Sequence, residues 1–514
     1  MMRLDKMKQF PWHSYLFSLF PILALAAYNI NEINIRVVFR PLFIALAVSF
    51  LILVFLNVFF KDWQRAGLLA TAFLILFFSY GHVYNFLHNI KIANIPIGRN
   101  RILAIIWLLL AGLCVWFITK LRKGEWVDTA TRSLNLISTL LIVFQLGSFL
   151  LFAYQLKQVD VNELDYSLEY LSSEPGQPIT TPPDIYYIIL DAYGRSDVLK
   201  NTYAIDNTVF INQLQDLGFY IADCSMSNYA NTKLSLSSTL NFNYLPSLSS
   251  NFSPEKNNND KLISLLKNSA TRRILEEMGY ESVAFATGYQ WTEWENADYY
   301  YSSQGYWRIT EFEDLIIRSS AGLLILDAGF FNIDQASIEN VRGRTLYALE
   351  KLDSLSSETS PKFVFTHLII PHIPFVFGPT GEMNLIGPIT SERQYTWEEY
   401  KEGYGNQVKY INSRIVDIVE KIINDSKNPP IIIIQGDHGP GYSSNSDRMA
   451  ILNAYYFPNE SSLLYDNITP VNTFRVIFND YFQGNFELLQ DDSFFSRYNT
   501  PFEFEIIPNN CLIE

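Results

Sequence analysis

Five long, uncharged apolar runs crowd into the first 157 residues, at 10–30, 41–60, 66–87, 102–119 and 133–156. Each reaches or approaches the ~20 residues a helix needs to cross ~30 Å of hydrocarbon. A helix on a soluble core would show a polar face every turn, and these show none. The first run is long, lacks a small-residue cleavage site and is followed by four more, so it does not read as a cleavable signal peptide. The pattern predicts a transmembrane domain of five helices over residues 1–157.

Charge divides the chain at the same place. Residues 1–159 carry 15 Lys/Arg against 5 Asp/Glu, whereas the rest carries 23 against 47. The whole-chain net charge of −14 averages two unlike parts. That acidic balance excludes the basic patches of a nucleic-acid binder. Three cysteines in 514 residues exclude a disulfide scaffold, and 49% hydrophobic residues exclude a disordered chain.

Short-loop basic residues give the orientation. With the N-terminus inside, the inner segments hold Arg3, Lys6, Lys8, Lys61, Arg65, Lys120, Arg122, Lys123 and Arg132. The outer loops hold Arg36, Arg40, Lys91, Arg99 and Arg101. The expectation is a multi-pass plasma (inner) membrane protein with a cytoplasmic N-terminus and everything beyond residue 156 outside. His82 and His88 fall in or at the end of the third run. No carboxylate accompanies them in the runs, which argues against a proton-coupled transporter.

Residues 158–183 read as a juxtamembrane linker, ending in proline-rich sequence. Beyond it, 185–190, 282–286, 363–367 and 431–435 are continuous β-branched and aromatic runs of the kind buried on both faces in a parallel sheet. Amphipathic stretches at 208–217, 261–278, 341–355 and 397–423 separate them. This alternation predicts an α/β domain over 184–514, its mostly parallel central sheet covered by helices on both faces. Functional groups in such sheets gather at the carboxyl ends of strands.

Chemistry-bearing residues stand at three of those ends. Asp191-Ala-Tyr-Gly-Arg195 follows the first strand. Thr366-His367 through Pro371-His372 follows the third, and Gly436-Asp437-His438-Gly439 the fourth. Asp and His suit a divalent ion such as Zn²⁺ or Mn²⁺. The glycines flanking Asp437-His438 would let the backbone turn sharply, so that both side chains face one ion.

On these residues the chain resembles the sulfatase-like membrane branch of the alkaline phosphatase superfamily, which includes lipoteichoic acid synthases and phosphoethanolamine transferases. The resemblance implies five N-terminal spans and an extracytoplasmic alkaline-phosphatase-like catalytic domain. It implies metal ligation by Asp191, Asp437 and His438, and a nucleophile at the start of a helix between them. In Asn228-Tyr-Ala-Asn231-Thr232-Lys233-Leu-Ser235, Thr232 is followed three residues later by Ser235, as in the family's pattern. Thr232 is therefore the expected nucleophile and a fourth metal ligand. At a helix N-terminus it would face a bound phosphate along the positive end of the dipole, and could also cap the helix.

Two departures narrow the chemistry. Formylglycine sulfatases need C/S-x-P-x-R; Thr232 is neither Cys nor Ser, and neither the segment after it nor the one after Cys224 supplies Pro and Arg in frame. No histidine follows His438, whereas two-metal members use one near the C-terminus. One divalent ion is expected, Zn²⁺ or Mn²⁺, with Mg²⁺ or Ca²⁺ as alternatives.

The resemblance implies His372 as the residue that protonates the leaving oxygen, with His367 as a support, a second-metal ligand or a substrate contact. Lys233 and Arg195 are expected to neutralise transition-state charge, and Asn231 to contact substrate. The expected reaction is transfer of a phosphoglycerol- or phosphoethanolamine-type group, or phosphoester hydrolysis, through phospho-Thr232. The substrate is lipid-linked or a cell-envelope glycan, the bilayer is the partner, and no obligate protein partner is evident. The rival readings are a sulfatase-type ester hydrolase and an inactive membrane-anchored scaffold. Cys224 and Cys511 could pair outside the cell, although nothing in their spacing favours it.

Overall fold

The structure, a computed structural model, describes residues 10–88, 90–92, 95–96, 99–121, 124–158, 182–249, 252–253, 256–257, 259–303, 309–328, 333–358, 361–384, 386, 395–459 and 461–511. Most of the expected linker, at 159–181, lies outside them. The chain divides into two compact units. One comprises residues up to Gln155 together with Trp307–Ser337; the other comprises Leu156–Tyr306 and Ile338 to the C-terminus.

The first unit opens with α1 (His13–Tyr28), α2 (Arg36–Phe60), α3 (Trp63–His88), α4 (Asn100–Lys120) and α5 (Glu125–Gln158). The last four are long and apolar enough to cross a membrane. The first has 16 residues, a rise of about 24 Å, and falls short of the ~30 Å core. Helix α1 packs on α2 and α3, and α3 on α4. Two further short helices, Glu311–Arg318 and Gly322–Asp327, belong to this unit although they lie far along the chain.

The second unit is an α/β domain. The strands of its main sheet are β1 (Ile185–Leu190), β2 (Tyr220–Ile221), β3 (Glu281–Phe285), β4 (Tyr299–Tyr301), β5 (Lys362–Leu368), β6 (Ile431–Gly436) and β7 (Asn453–Tyr456). They form one sheet in the order β2-β7-β6-β1-β5-β3-β4. The run from β6 to β4 is parallel; β7 is antiparallel to β6, and β2 to β7. In β1, Tyr186, Ile188 and Leu190 enter one hydrophobic cluster, and Ile185, Tyr187 and Ile189 another. Both faces of the strand are therefore buried, which is why its sequence is apolar without alternation.

Register aligns the strand ends. Leu190 of β1 is paired with Leu368 of β5 and with Gly436 of β6. The residues after Leu190 and Gly436 therefore emerge side by side. At the opposite end Asp184 Oδ2 accepts a hydrogen bond from Lys362 Nζ at 2.7 Å, with both side chains buried. Asp184 Oδ1 also accepts from Lys362 N at 3.0 Å, so this buried charge pair locks the start of β5 to β1.

The expected helix at 261–278 is two helices, Asn259–Lys267 and Ala270–Glu277. Ser269 caps the second by accepting from Arg272 N, which ends the first before it can continue.

Candidate metal centre

Asp191 follows β1 and is buried. The turn beyond it is made by Ala192, whose φ of 64° is left-handed. Its N–H donates to Asp437 Oδ1 at 3.0 Å. That bond leaves Asp437 Oδ2 buried without a hydrogen-bond partner, and Asp191 Oδ1 is buried in the same state.

Asp437 and His438 leave β6 as the sequence implies, but the glycines serve a different purpose. Neither Gly436 nor Gly439 has a left-handed φ. A Cβ on Gly436 would lie 2.4 Å from Tyr193 O, and one on Gly439 2.4 Å from Asp447 O. These glycines are needed for close backbone approach, and Ala192 rather than a glycine takes the strained turn.

His438 Nδ1 lies 2.9 Å from Gly439 O and can only donate to it, which leaves the Nε2 lone pair facing the carboxylates. Nε2 is 3.7 Å from Asp191 Oδ1 and 3.5 Å from Asp437 Oδ2. Burial, with Arg448 beside it, lowers the imidazole to about 4, so it is neutral at pH 7. Burial pushes the Asp191 carboxyl up, but His372, His367 and His438 together hold it below the usual carboxylate range.

Thr232 opens helix α6 (Thr232–Leu240), and its Oγ1 stands 3.3 Å from His438 Nε2. Ser235, one turn on, is buried and faces Ser227 Oγ at 3.2 Å. Ser227 Oγ in turn lies 2.6 Å from Asp437 O. The Thr-x-x-Ser spacing thus gives a hydroxyl at the centre and a second hydroxyl that ties the helix to the Asp437 loop.

The other expected residues divide into near and engaged. His367 Nε2 is 3.4 Å from Asp191 Oδ2, and the His372 ring centre is 6.2 Å from that of His438. His372 Nδ1 lies 2.6 Å from Ile373 O, so Nε2 is left to exchange a proton. Lys233 lies over Trp291, whose ring is 5.8 Å from that of His367. Asn231 Nδ2 is buried without a hydrogen-bond partner. Arg195 is held by Asp197, through Nε and Nη2 at 2.8 Å each, and donates to Ser225 O. Its guanidinium links two loops.

Two groups escape sequence reasoning. Arg448 Nη2 is 3.3 Å from His438 Nε2, and its Nε donates to Ala230 O at 3.1 Å. Helix α7 (Trp397–Asp425) holds all three strand-end loops from one face. Tyr400 Oη accepts from Gly441 N, Tyr404 Oη donates to Ala192 O and accepts from Gly194 N, and Gln407 Nε2 donates to His372 O. The spacing i, i+4, i+7 is the only signal, and it looks like ordinary amphipathicity. The Cys224–Cys511 pairing, which the sequence permits but its spacing does not favour, is present as a disulfide with Cα atoms 5.5 Å apart.

The donor set fits a divalent cation. One ligand atom each from Asp191, Asp437 and His438 lie within 4.8 Å of one another, all buried. Two buried carboxylate oxygens without partners are costly unless a cation meets them. Carboxylates, a neutral imidazole and a hydroxyl are the ligands of Zn²⁺ or Mn²⁺ sites.

Comparison with known proteins identifies the family. Residues 183–480 match the family described as Sulfatase. No curated protein sequence matches the chain. Among solved structures, the C-terminal periplasmic domain of EptC from Escherichia coli in complex with Zn is 13% identical, over 59% of this chain and 84% of that one, with a TM-score of 0.38. The lipoteichoic acid synthase LtaP from Listeria monocytogenes is 11% identical over 65% and 83%, with a TM-score of 0.38. The periplasmic domain of phosphoethanolamine transferase EptC from Campylobacter jejuni is 13% identical over 60% and 92%, with a TM-score of 0.36. The match spans more than half of the chain and contains Asp191, Thr232, Asp437 and His438, and the protein belongs to the Sulfatase family.

Proposed function

We propose that this protein is a membrane-anchored, metal-dependent phosphoryl-group transferase, of phosphoglycerol or phosphoethanolamine type, or a phosphoester hydrolase, working through phospho-Thr232. The observation that carries the reading is the 3.3 Å approach of Thr232 Oγ1 to His438 Nε2 at the start of α6. Asp191, Asp437, His438 and Thr232 would hold one divalent ion, Zn²⁺ or Mn²⁺. Such an ion lowers the pKa of a bound hydroxyl and offsets anionic charge.

The chain's own groups do the rest. Thr232 Oγ attacks phosphorus in line; the new P–Oγ bond forms as the bond to the leaving oxygen breaks. His372, pinned through Nδ1, gives that oxygen a proton from Nε2. Arg448 and Lys233 supply charge for the phosphoryl oxygens. An acceptor hydroxyl or water then attacks phosphorus, returns a proton to His372 and frees Thr232. Arg195, engaged with Asp197, serves the loops rather than the phosphoryl group.

The anchor would have five spans with the N-terminus in the cytoplasm of a plasma-membrane protein, over residues 1–157, with a linker at 158–183 and the catalytic domain at 184–514 outside. The Cys224–Cys511 disulfide supports an oxidising exterior for that domain. A lipid-linked or envelope-glycan substrate follows from confinement to the membrane plane. The disulfide also weighs against sulfate-ester hydrolysis, because it occupies Cys224, and Thr232 rather than a formylglycine precursor starts α6. Turnover of bis-p-nitrophenyl phosphate and of p-nitrophenyl sulfate by the full-length protein separates the readings. The phosphodiester is expected to be cleaved and Thr232→Ala to abolish it; cleavage of the sulfate alone overturns the proposal.

A further inference from the structure

The chain that leaves the metal centre at His438 comes back to it ten residues later, where Arg448 Nη2 stands 3.3 Å from His438 Nε2. Between the two lies Tyr442, whose φ of 53° is left-handed. That conformation suits glycine and strains a bulky residue. The loop has glycines at 439 and 441, yet neither takes it.

Contacts of the ring hold the strained residue in place. Tyr442 Oη donates to Tyr395 O at 2.6 Å, and the ring packs against that of Tyr400 with centroids 4.9 Å apart. Tyr400 Oη accepts from Gly441 N at 2.8 Å, which fixes the backbone just before Tyr442. Tyr400 also packs on Phe375, in the loop that carries His372. The ring is therefore fixed in orientation and tied to the loops of His438 and His372 alike.

Despite these contacts Tyr442 is 50% exposed. Tyr299 and Tyr498 of the same unit are exposed as well. Tyr299 starts β4, at the edge of the sheet, and Tyr498 lies between the strands Phe494–Arg497 and Thr500–Ile506. Of the three, only Tyr442 stands in a loop that begins and ends at the metal centre. Its Cα lies at most about 14 Å from that of His438, the reach of four residues at ~3.3–3.6 Å each. Backbone strain retained at an exposed aromatic ring beside such a centre points to a binding role.

We propose that Tyr442 is the stacking platform for a neutral pyranose ring of the substrate, the sugar whose oxygen is joined to phosphorus in the reaction. This rests on the phosphoryl-transfer reading and names the substrate class of that site. A pyranose face presents C–H groups, which meet the electron-rich face of an aromatic ring. An ammonium headgroup is drawn to the same face, but Arg448 brings a positive charge to this loop and disfavours a second cation. An acyl chain calls for apolar walls, whereas Ser443 and Ser444 follow the ring. A hydroxyl-rich neutral ring matches one aromatic face with polar neighbours.

The test is equilibrium dialysis of full-length, Zn²⁺-loaded protein against radiolabelled inorganic phosphate, the 1-phosphates of glucose, galactose and N-acetylglucosamine, and phosphocholine. All share the phosphate, so differences report the group attached to it. At least one sugar phosphate is expected to bind several-fold more tightly than inorganic phosphate. Tyr442→Gly relaxes the left-handed backbone and Tyr442→Asn tolerates it, so both keep the loop without the ring. Each is expected to lower the affinity for that sugar phosphate to the level of inorganic phosphate, whereas Tyr442→Phe retains the gain. A sugar gain that is absent from wild type, or that survives Tyr442→Gly and Tyr442→Asn, overturns the proposal. So does a gain shown by phosphocholine alone. A merely structural tyrosine would weaken sugar phosphate and inorganic phosphate alike, and that result overturns it too. Wild type that binds no phosphate in any form overturns the phosphoryl-transfer reading itself; phosphate binding with no gain from a sugar overturns the platform alone.

Discussion

The backbone N–H of Ala192 donates to Asp437 Oδ1 at 3.0 Å, so two loops 245 residues apart in sequence set each other's carboxylates. Asp437 has one oxygen satisfied by protein and the other bare beside Asp191 and His438. Asp437→Asn keeps the acceptor for Ala192 but removes the charge. It is expected to fold with a Tm within a few degrees of wild type and to lose bound metal and activity together. Metal analysis of the purified variant checks this, and retained stoichiometric metal would contradict it.

Tyr404 Oη bridges Ala192 O and Gly194 N on the Asp191 loop. Tyr404→Phe leaves both backbone groups buried and unpaired, at a cost of about 1–3 kcal/mol for each. The ring would still pack, so the expected outcome is a lower Tm together with weaker metal retention. Titration with a chelator measures the second effect, which a purely structural tyrosine would not alter.

Asp184 and Lys362 lie at the other end of β1 and β5, away from the strand-end loops. Removing one member of a buried pair strands the other charge, so Asp184→Ala should cost about 3–5 kcal/mol. Protein that remains folded at low temperature is expected to hold metal normally. Loss of metal at unchanged Tm would refute that separation of roles.

The disulfide joins Cys224, which precedes the Thr232 helix, to Cys511 near the end of the chain. Closing so long a loop in the unfolded chain should stabilise the domain by about 2–4 kcal/mol. Cys511→Ser is expected to lower the Tm and to make it insensitive to reductant, whereas wild type treated with reductant falls to the variant's value. Equal Tm values for untreated wild type and variant would count against a stabilising bond.

Much of this was legible from sequence because the physics was local. The strand at 185–190 is apolar at every position because both faces are buried, and the structure places a strand on those residues. Asp191, Asp437 and His438 could be named because parallel strands deliver their ends to one edge, and β1 and β6 end in register. Thr232 starts a helix, where the family resemblance implied it would. What stayed hidden depends on contacts between distant segments. Arg448 reaches the centre from the short helix Asn445–Met449 after β6, and nothing in its neighbours marks it. Tyr404 and Gln407 look like any amphipathic face until the loops they hold are in place. The grouping of 307–337 with the N-terminal helices is equally invisible, since Glu311–Arg318 has the pattern of a surface helix until Arg40 stands across from Glu313.

The central claim is that Thr232 carries the phosphoryl group. Full-length protein, loaded with Mn²⁺ or Zn²⁺ and incubated with membrane lipids, can be quenched in acid and the peptide containing Thr232 examined by mass spectrometry. The account predicts a headgroup-phosphate adduct on Thr232, which accumulates in His372→Ala if release is slowed, and which Thr232→Ala cannot form. Full lipid turnover by Thr232→Ala, with no adduct on the wild-type residue, would contradict it.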